Sequence, residues 1–138
     1  MRVGVIKSWD TQWYAEKKDF GKQLKEDNVI RTFIKKKYFD AAISKICIVR
    51  AANKVEVTIY TGRPGVLIGK AGAEIEVIKK DLGKLTNGKV IIINVIKVEK
   101  IDQDAQLVAE AVASQLEKRV SYRRAIKQQL SKVSKTGV

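Results

Sequence analysis

Gly69 and Gly72 stand three residues apart, with Lys70 and Ala71 between them, in the stretch Arg63-Pro64-Gly65-Val66-Leu67-Ile68-Gly69-Lys70-Ala71-Gly72-Ala73-Glu74-Ile75. No other feature constrains the chain as tightly. The pair separates two apolar segments that both read as helical, so the backbone must turn sharply there. Glycine supplies the positive φ angles a tight turn needs and leaves no side chain in the way of an approaching backbone. The free N–H groups at the start of the following helix point the same way, which suits a phosphate. Pro64 fits the first turn of a short helix ending near Ile68. Downstream, Ile75, Ile78, Leu82 and Leu85 fall at a 3-4-3 spacing. This predicts an amphipathic helix, stopped at Asn87-Gly88.

Around this turn the apolar period changes between helix and strand. Ser8 to Glu26 carries Trp9, Trp13, Tyr14, Phe20 and Leu24 and reads as helical from about Thr11. Asn28 is placed to cap a second helix with Ile30, Phe33, Ile34 and Tyr38 on one face. Lys45–Arg50 and Val55–Tyr60 then alternate with period two, joined through Ala51–Lys54. Val55, Val57 and Ile59 share one side of a strand, as expected of a sheet covered on one face. Lys89–Lys97, rich in β-branched residues, is predicted as a third and central strand. Asp102 and Asp104 begin a further helix with Ala105, Val108, Val112 and Leu116 as its buried stripe. Tyr122, Ile126, Leu130 and Val133 mark one side of the last helical stretch.

The charge balance points to a partner. The chain of 138 residues holds 28 Lys and Arg against 15 Asp and Glu, a net +13, which favours a polyanion. The length suits one domain with helical additions and needs no metal or disulfide staple. Cys47 is the only cysteine and histidine is absent. Internal disulfides, imidazole bases and histidine metal sites are therefore excluded. The longest apolar run, Val90–Ile93, is too short to span a bilayer, and Met1–Lys7 lacks the apolar core of a secretory leader. The chain thus reads as cytoplasmic, with no cofactor and no small-molecule substrate.

Other motifs weigh less. Gly62-Arg63-Pro64-Gly65 repeats the glycine spacing, but its proline has no N–H to donate. Gly65–Ala71 superficially matches a Walker loop. It has three rather than four residues between the glycine and Gly69-Lys70, and Ala71 cannot ligate magnesium. Asp102 and Asp104 read as helix-start residues rather than a metal pair, and Cys47, flanked by Ile46 and Ile48, as an inert strand thiol. No side chain has a recognisable base partner, so no enzyme is predicted. From Lys118 onward there are seven cations and no acid. Arg119, Arg123 and Lys127 fall four apart, with Arg124 beside them, as on one helical face. Phosphate contact is favoured over a membrane surface because the accompanying apolar stripe is thin.

The glycine loop in this context resembles that of a KH domain, whose loop clamps about four nucleotides of single-stranded nucleic acid. The predicted fold is α+β. It comprises a type II KH domain with a three-stranded mixed sheet covered on one face by helices, an N-terminal helical segment and a C-terminal helical extension. The expected division is 1–27, 28–100 and 101–138. The resemblance implies an RNA site at Arg63, Gly65, Gly69, Lys70, Ala71, Gly72, Lys79 and Lys80. Its groove would have a floor of Val66, Leu67, Ile68 and Ile75. Three stretches narrow the likeness: Gly4–Ala15, Thr61–Gly72, and Leu107–Glu110 continuing through Gln115–Lys127. They resemble the N-terminal half of the small-subunit ribosomal protein S-three family, whose second α+β domain has no counterpart here. That family implies binding to small-subunit rRNA of the head, ribosomal proteins S-ten and S-fourteen as neighbours, and a share of the mRNA entrance channel. Arg123, Arg124 and Lys127, with Arg119, match the basic face toward incoming mRNA, which the family links to unwinding without ATP. The competing reading is a free-standing KH module acting as an RNA chaperone or processing factor.

Overall fold

The computed structural model describes residues 4–51, 54–86 and 89–137. These form two compact units, 1–97 and 98–138. The first begins with a short strand β1 (Thr11–Gln12) and a long helix α1 (Lys17–Lys37). Strands β2 (Ile43–Ala51) and β3 (Lys54–Thr61) follow, then the short helix α2 (Pro64–Ile68), a 3-10 turn (Lys70–Gly72), helix α3 (Ala73–Leu85) and strand β4 (Val90–Lys97). Residues 52–53 and the expected Asn87-Gly88 stop lie outside the described residues.

The sheet is mixed, in the order β1-β2-β3-β4. β2 and β3 are antiparallel; β1 runs parallel to β2, and β4 parallel to β3. Alternation decides which side is covered. Ile46, Ile48, Val55, Val57, Ile59, Ile91 and Ile93 are buried together with Ile30 and Ile34 of α1, Leu67 of α2, and Ile78 and Leu82 of α3. The expected α+β fold with one covered sheet face is therefore present.

Three expectations change. The two helices predicted before residue 38 are one: Asn28 lies inside α1 rather than capping it. Gly21 costs that helix about 1 kcal/mol, which burial of Ile30 and Ile34 offsets. Next, Thr11 starts a strand rather than a helix, giving four strands instead of three. The Arg31 guanidinium explains this. It donates to the carbonyl of Asp10 at 3.0 Å, to Thr11 Oγ1 at 2.7 Å, and to the carbonyl of Ile46, drawing the segment onto the sheet edge. Trp13 Nε1 donates to Asp27 Oδ2 at 2.8 Å, and Asp27 also pairs with Arg50 at 2.5 Å. Both members of that ion pair are buried, and stranding either would cost about 3–5 kcal/mol. Finally, β4 is an edge strand among the described residues, not a central one. The α2–α3 crossover sets it beside β3, and no later described strand adds to it; Val90, Ile92 and Ile96 alternate with the buried Ile91 and Ile93 and stay exposed on the opposite face.

The second unit holds a 3-10 turn (Ile101–Gln103) and helices α4 (Ala105–Glu117) and α5 (Tyr122–Lys135), which pack on one another. Asp104 caps α4, accepting from the N–H groups of Gln106 and Leu107 at 3.0 and 3.2 Å. The expected buried stripes are displaced. Leu107 is the buried residue of α4, while Ala125 and Gln129 are buried in α5, each one residue before Ile126 and Leu130. One residue is about 100° of helix rotation, so Tyr122, Ile126 and Leu130 remain exposed.

Candidate nucleic-acid interface

The turn forms because two residues adopt conformations that side chains resist. Gly69 leaves α2 at φ 66°, ψ −169°, a region essentially confined to glycine. Gly72 is left-handed, at φ 81°, ψ 8°, immediately before α3. Lys70, Ala71 and Gly72 make a single 3-10 turn between them. The Gly69 N–H closes α2 on the carbonyl of Gly65 at 2.9 Å, and the Ala73 N–H goes to the carbonyl of Lys70. The N-cap residue Gly72 brings no side chain to α3, so among the described residues further first-turn N–H groups lie at the positive end of a 13-residue helix without a side-chain cap.

The two sides of the turn differ. Beyond its chain neighbours and its own helix backbone, a Cβ at Gly65 or Gly72 would meet no described atom within 4 Å. A Cβ at Gly69 would lie 2.6 Å from Glu74 Cγ and 3.0 Å from Glu74 Cβ. The turn is thus open on one side and walled by Glu74 on the other. Behind the wall, Tyr38 at the end of α1 donates its hydroxyl to Glu74 Oε2 at 3.1 Å. Lys37 Nζ meets Asp81 at 2.6 Å and lies 5.6 Å from the ring centroids of Phe33 and Tyr38. The bond to Lys37 holds the Asp81 carboxyl below its ordinary range, and the bond to Asp81 raises the Lys37 ammonium. Burial, and then the hydrogen bond to Glu74, raises the Tyr38 phenol.

The residues expected at the site are arranged unevenly. Arg63 starts α2, and its N–H donates to Thr61 Oγ1 at 3.1 Å and to the carbonyl of Ala41 at 3.2 Å. Buried Thr61 itself donates to the carbonyl of Ala41 at 2.5 Å, tying the end of β3 to the 3-10 segment Phe39–Ala41 between α1 and β2. The side chains of Arg63 and Lys70 are exposed, and Ala71 lies within the 3-10 turn. Lys79 and Lys80 sit about 11 Å farther along α3, roughly two turns beyond Gly72. Lys80 is exposed, whereas Lys79 Nζ pairs with Glu76 at 2.9 Å. The expected apolar floor is also split. Val66 and Ile68 are exposed and Ile75 half-buried, but Leu67 is wholly buried in the core. Three consecutive helical residues point about 100° apart and cannot share one surface.

In the second unit, Arg123, Arg124 and Lys127 are exposed on α5. Arg123 Cζ stands 5.7 Å from the ring centroid of Tyr122. Arg119 does not share their helical face as expected. It lies in the turn between α4 and α5 at φ 60°, with its N–H on the carbonyl of Leu116 at 2.9 Å. A left-handed residue there ends one helix before the next begins. Sequence reasoning missed Tyr38 and Glu74 as parts of this site. The available signal was an acid two residues past the glycine turn of a strongly basic chain. Among the described residues no cluster of three or more potential metal ligands occurs, and no helix is long and apolar enough to cross a membrane.

A glycine turn between two helices, set against a mixed sheet covered on one face, defines a KH architecture. The profile of the KH domain family matches residues 29–103, over half the chain, and the chain belongs to that family. All 138 residues align at 54% identity with the small ribosomal subunit protein uS3 of Clostridium botulinum (strain Alaska E43 / Type E3), covering 62% of that protein. Identity is 52% over 138 residues, again 62% of the relative, with uS3 of Clostridium beijerinckii. It is 53% over 137 residues, 99% of this chain and 61% of the relative, with uS3 of Carboxydothermus hydrogenoformans. The resemblance read from the three sequence stretches is borne out by these matches. The chain spans about three fifths of the length of these curated relatives.

Proposed function

We propose that the chain is a structural RNA-binding part of the small ribosomal subunit, ribosome-associated in the cytoplasm and without enzymatic activity. Residues 28–100 act as the type II KH domain, 1–27 as its N-terminal extension and 101–138 as a basic helical extension. The KH turn holds rRNA of the head. The backbone at Gly65, Gly69, Lys70, Ala71 and Gly72 takes phosphate, with Arg63, Lys70 and Lys80 as cations and Lys79 shared with Glu76. Arg119, Arg123, Arg124 and Lys127 face mRNA at its entrance, with ribosomal proteins S-ten and S-fourteen as neighbours. The observation that carries this reading is the open side of the turn. Beyond its chain neighbours, Gly72 has no described atom within 4 Å of where a Cβ would stand, beside a helix start whose N-cap residue brings no side chain. Similarity to uS3 over the whole chain supports the ribosomal assignment.

The test is binding of the 138-residue chain to small-subunit RNA. Gly69→Asp with Gly72→Asp should abolish binding. Gly72→Asp alone, at the roomier position, should weaken it at least tenfold while tryptophan fluorescence stays native. Unchanged affinity in a folded Gly72→Asp protein would refute the turn as the phosphate site.

A further inference from the structure

Glu74 is an oddity for an RNA-binding turn. Its carboxylate belongs to the first turn of α3, directly behind Gly69, where a phosphate would meet like charge. The hydroxyl of Tyr38 fixes the carboxylate on this back side, donating to Glu74 Oε2 at 3.1 Å. The Tyr38 ring is itself immobilised, being 7% exposed at the last turn of α1 with the Lys37 ammonium over it. Lys37 grips Asp81 seven residues farther along the same helix. Helix α1 therefore holds α3 at two points about two turns apart, which fixes both the rotation of α3 and the atoms at its start.

We propose that Tyr38 and Glu74 are positioning residues for the glycine turn. The hydroxyl anchors the Glu74 stem, the stem walls the back of Gly69, and the carboxylate is kept off the path of the RNA. The proposal rests on the reading of the turn as an RNA site and names the pair that shapes it. What the pair requires of residue 74 is an acceptor on a stem of this length, not a charge. Glutamine keeps both the stem and an acceptor oxygen; alanine keeps neither. Removing the Tyr38 hydroxyl leaves the ring and its packing in place.

The experiment uses the full chain, a short fluorescent single-stranded RNA of mixed sequence, and amide NMR signals of residues 69–72 recorded without RNA. Tyr38→Phe should weaken binding about fivefold, the scale of one lost hydrogen bond, and shift the turn amides. Glu74→Ala should do the same. Glu74→Gln should keep both near wild type, or bind more tightly because a negative charge is gone. Tyr38→Phe added to Glu74→Ala should cost nothing further, since the two act as one unit. The proposal is overturned by unchanged amides and affinity in Tyr38→Phe, or by Glu74→Gln behaving like Glu74→Ala. If the wild-type chain itself ignores RNA, the reading of the turn fails separately. The amide signals alone then decide whether the pair shapes it: a shift in Tyr38→Phe upholds the pair, and none overturns it.

Discussion

The two glycines of the turn should respond very differently to the same methyl group. Gly72 is left-handed with open space around it, so Gly72→Ala pays only conformational strain, about 1 kcal/mol. Gly69→Ala pays twice. Its φ 66°, ψ −169° conformation costs an alanine about 1–3 kcal/mol. The new methyl also arrives 2.6 Å from Glu74 Cγ, an overpacking that costs about 1–3 kcal/mol more. We take about 3 kcal/mol for Gly69→Ala, leaving a gap of about 2 kcal/mol between the variants. Urea unfolding followed by tryptophan fluorescence measures this cleanly, because Trp9 and Trp13 both lie in the first compact unit. At an m-value near 1.5 kcal/mol/M, the two midpoints should differ by about 1 M. In a Glu74→Ala background the penalty of Gly69→Ala should shrink by about 1 kcal/mol, since Cγ at 2.6 Å is gone while Cβ at 3.0 Å remains. Equal midpoints, or a Gly72→Ala protein less stable than Gly69→Ala, would refute the claim that Glu74 fills the space behind Gly69.

Two further outcomes follow from the same geometry. The Lys37–Asp81 bond holds the Asp81 carboxyl below its ordinary value of 3.8, so its contribution is complete above that value and disappears as pH falls through the depressed one. The stability difference between wild type and Asp81→Asn, measured by urea unfolding across an acid series, should therefore narrow on acidification; a difference that widens would contradict the pairing. Arg119 holds a left-handed conformation that glycine adopts freely. Arg119→Gly should stabilise the chain by up to about 1 kcal/mol while flattening the salt dependence of RNA binding by about 0.7 in log–log slope. A stabilised variant with an unchanged slope would remove Arg119 from the RNA face.

The parts of this fold that were legible in the sequence are those written in contiguous residues. Val55, Val57 and Ile59 announce a strand with one covered face, and Gly69 to Gly72 announce the turn, because period and glycine spacing are local signals. The N-terminal segment misled for a physical reason. Its aromatic residues do not follow a helical period, and its extended form is set by Arg31, about twenty residues away, reaching Asp10 and Thr11. By sequence Leu67 belongs to a groove floor because it stands between Val66 and Ile68, yet helical rotation turns it alone of the three into the core. Which face of α5 turns inward was likewise not written in its apolar stripe, since small Ala125 and polar Gln129 occupy the buried side. The wall behind the turn was invisible because Tyr38 and Glu74 are 36 residues apart, and neither type signals the other.

The most direct measurement maps where RNA touches the chain. Small-subunit RNA carrying photoreactive thiouridine is bound to the 138-residue protein, irradiated, digested, and the linked peptides are identified by mass spectrometry. The account predicts adducts concentrated within residues 63–72, with a second set at residues 119–127. RNA that binds and crosslinks but leaves residues 63–72 unlabelled would contradict it.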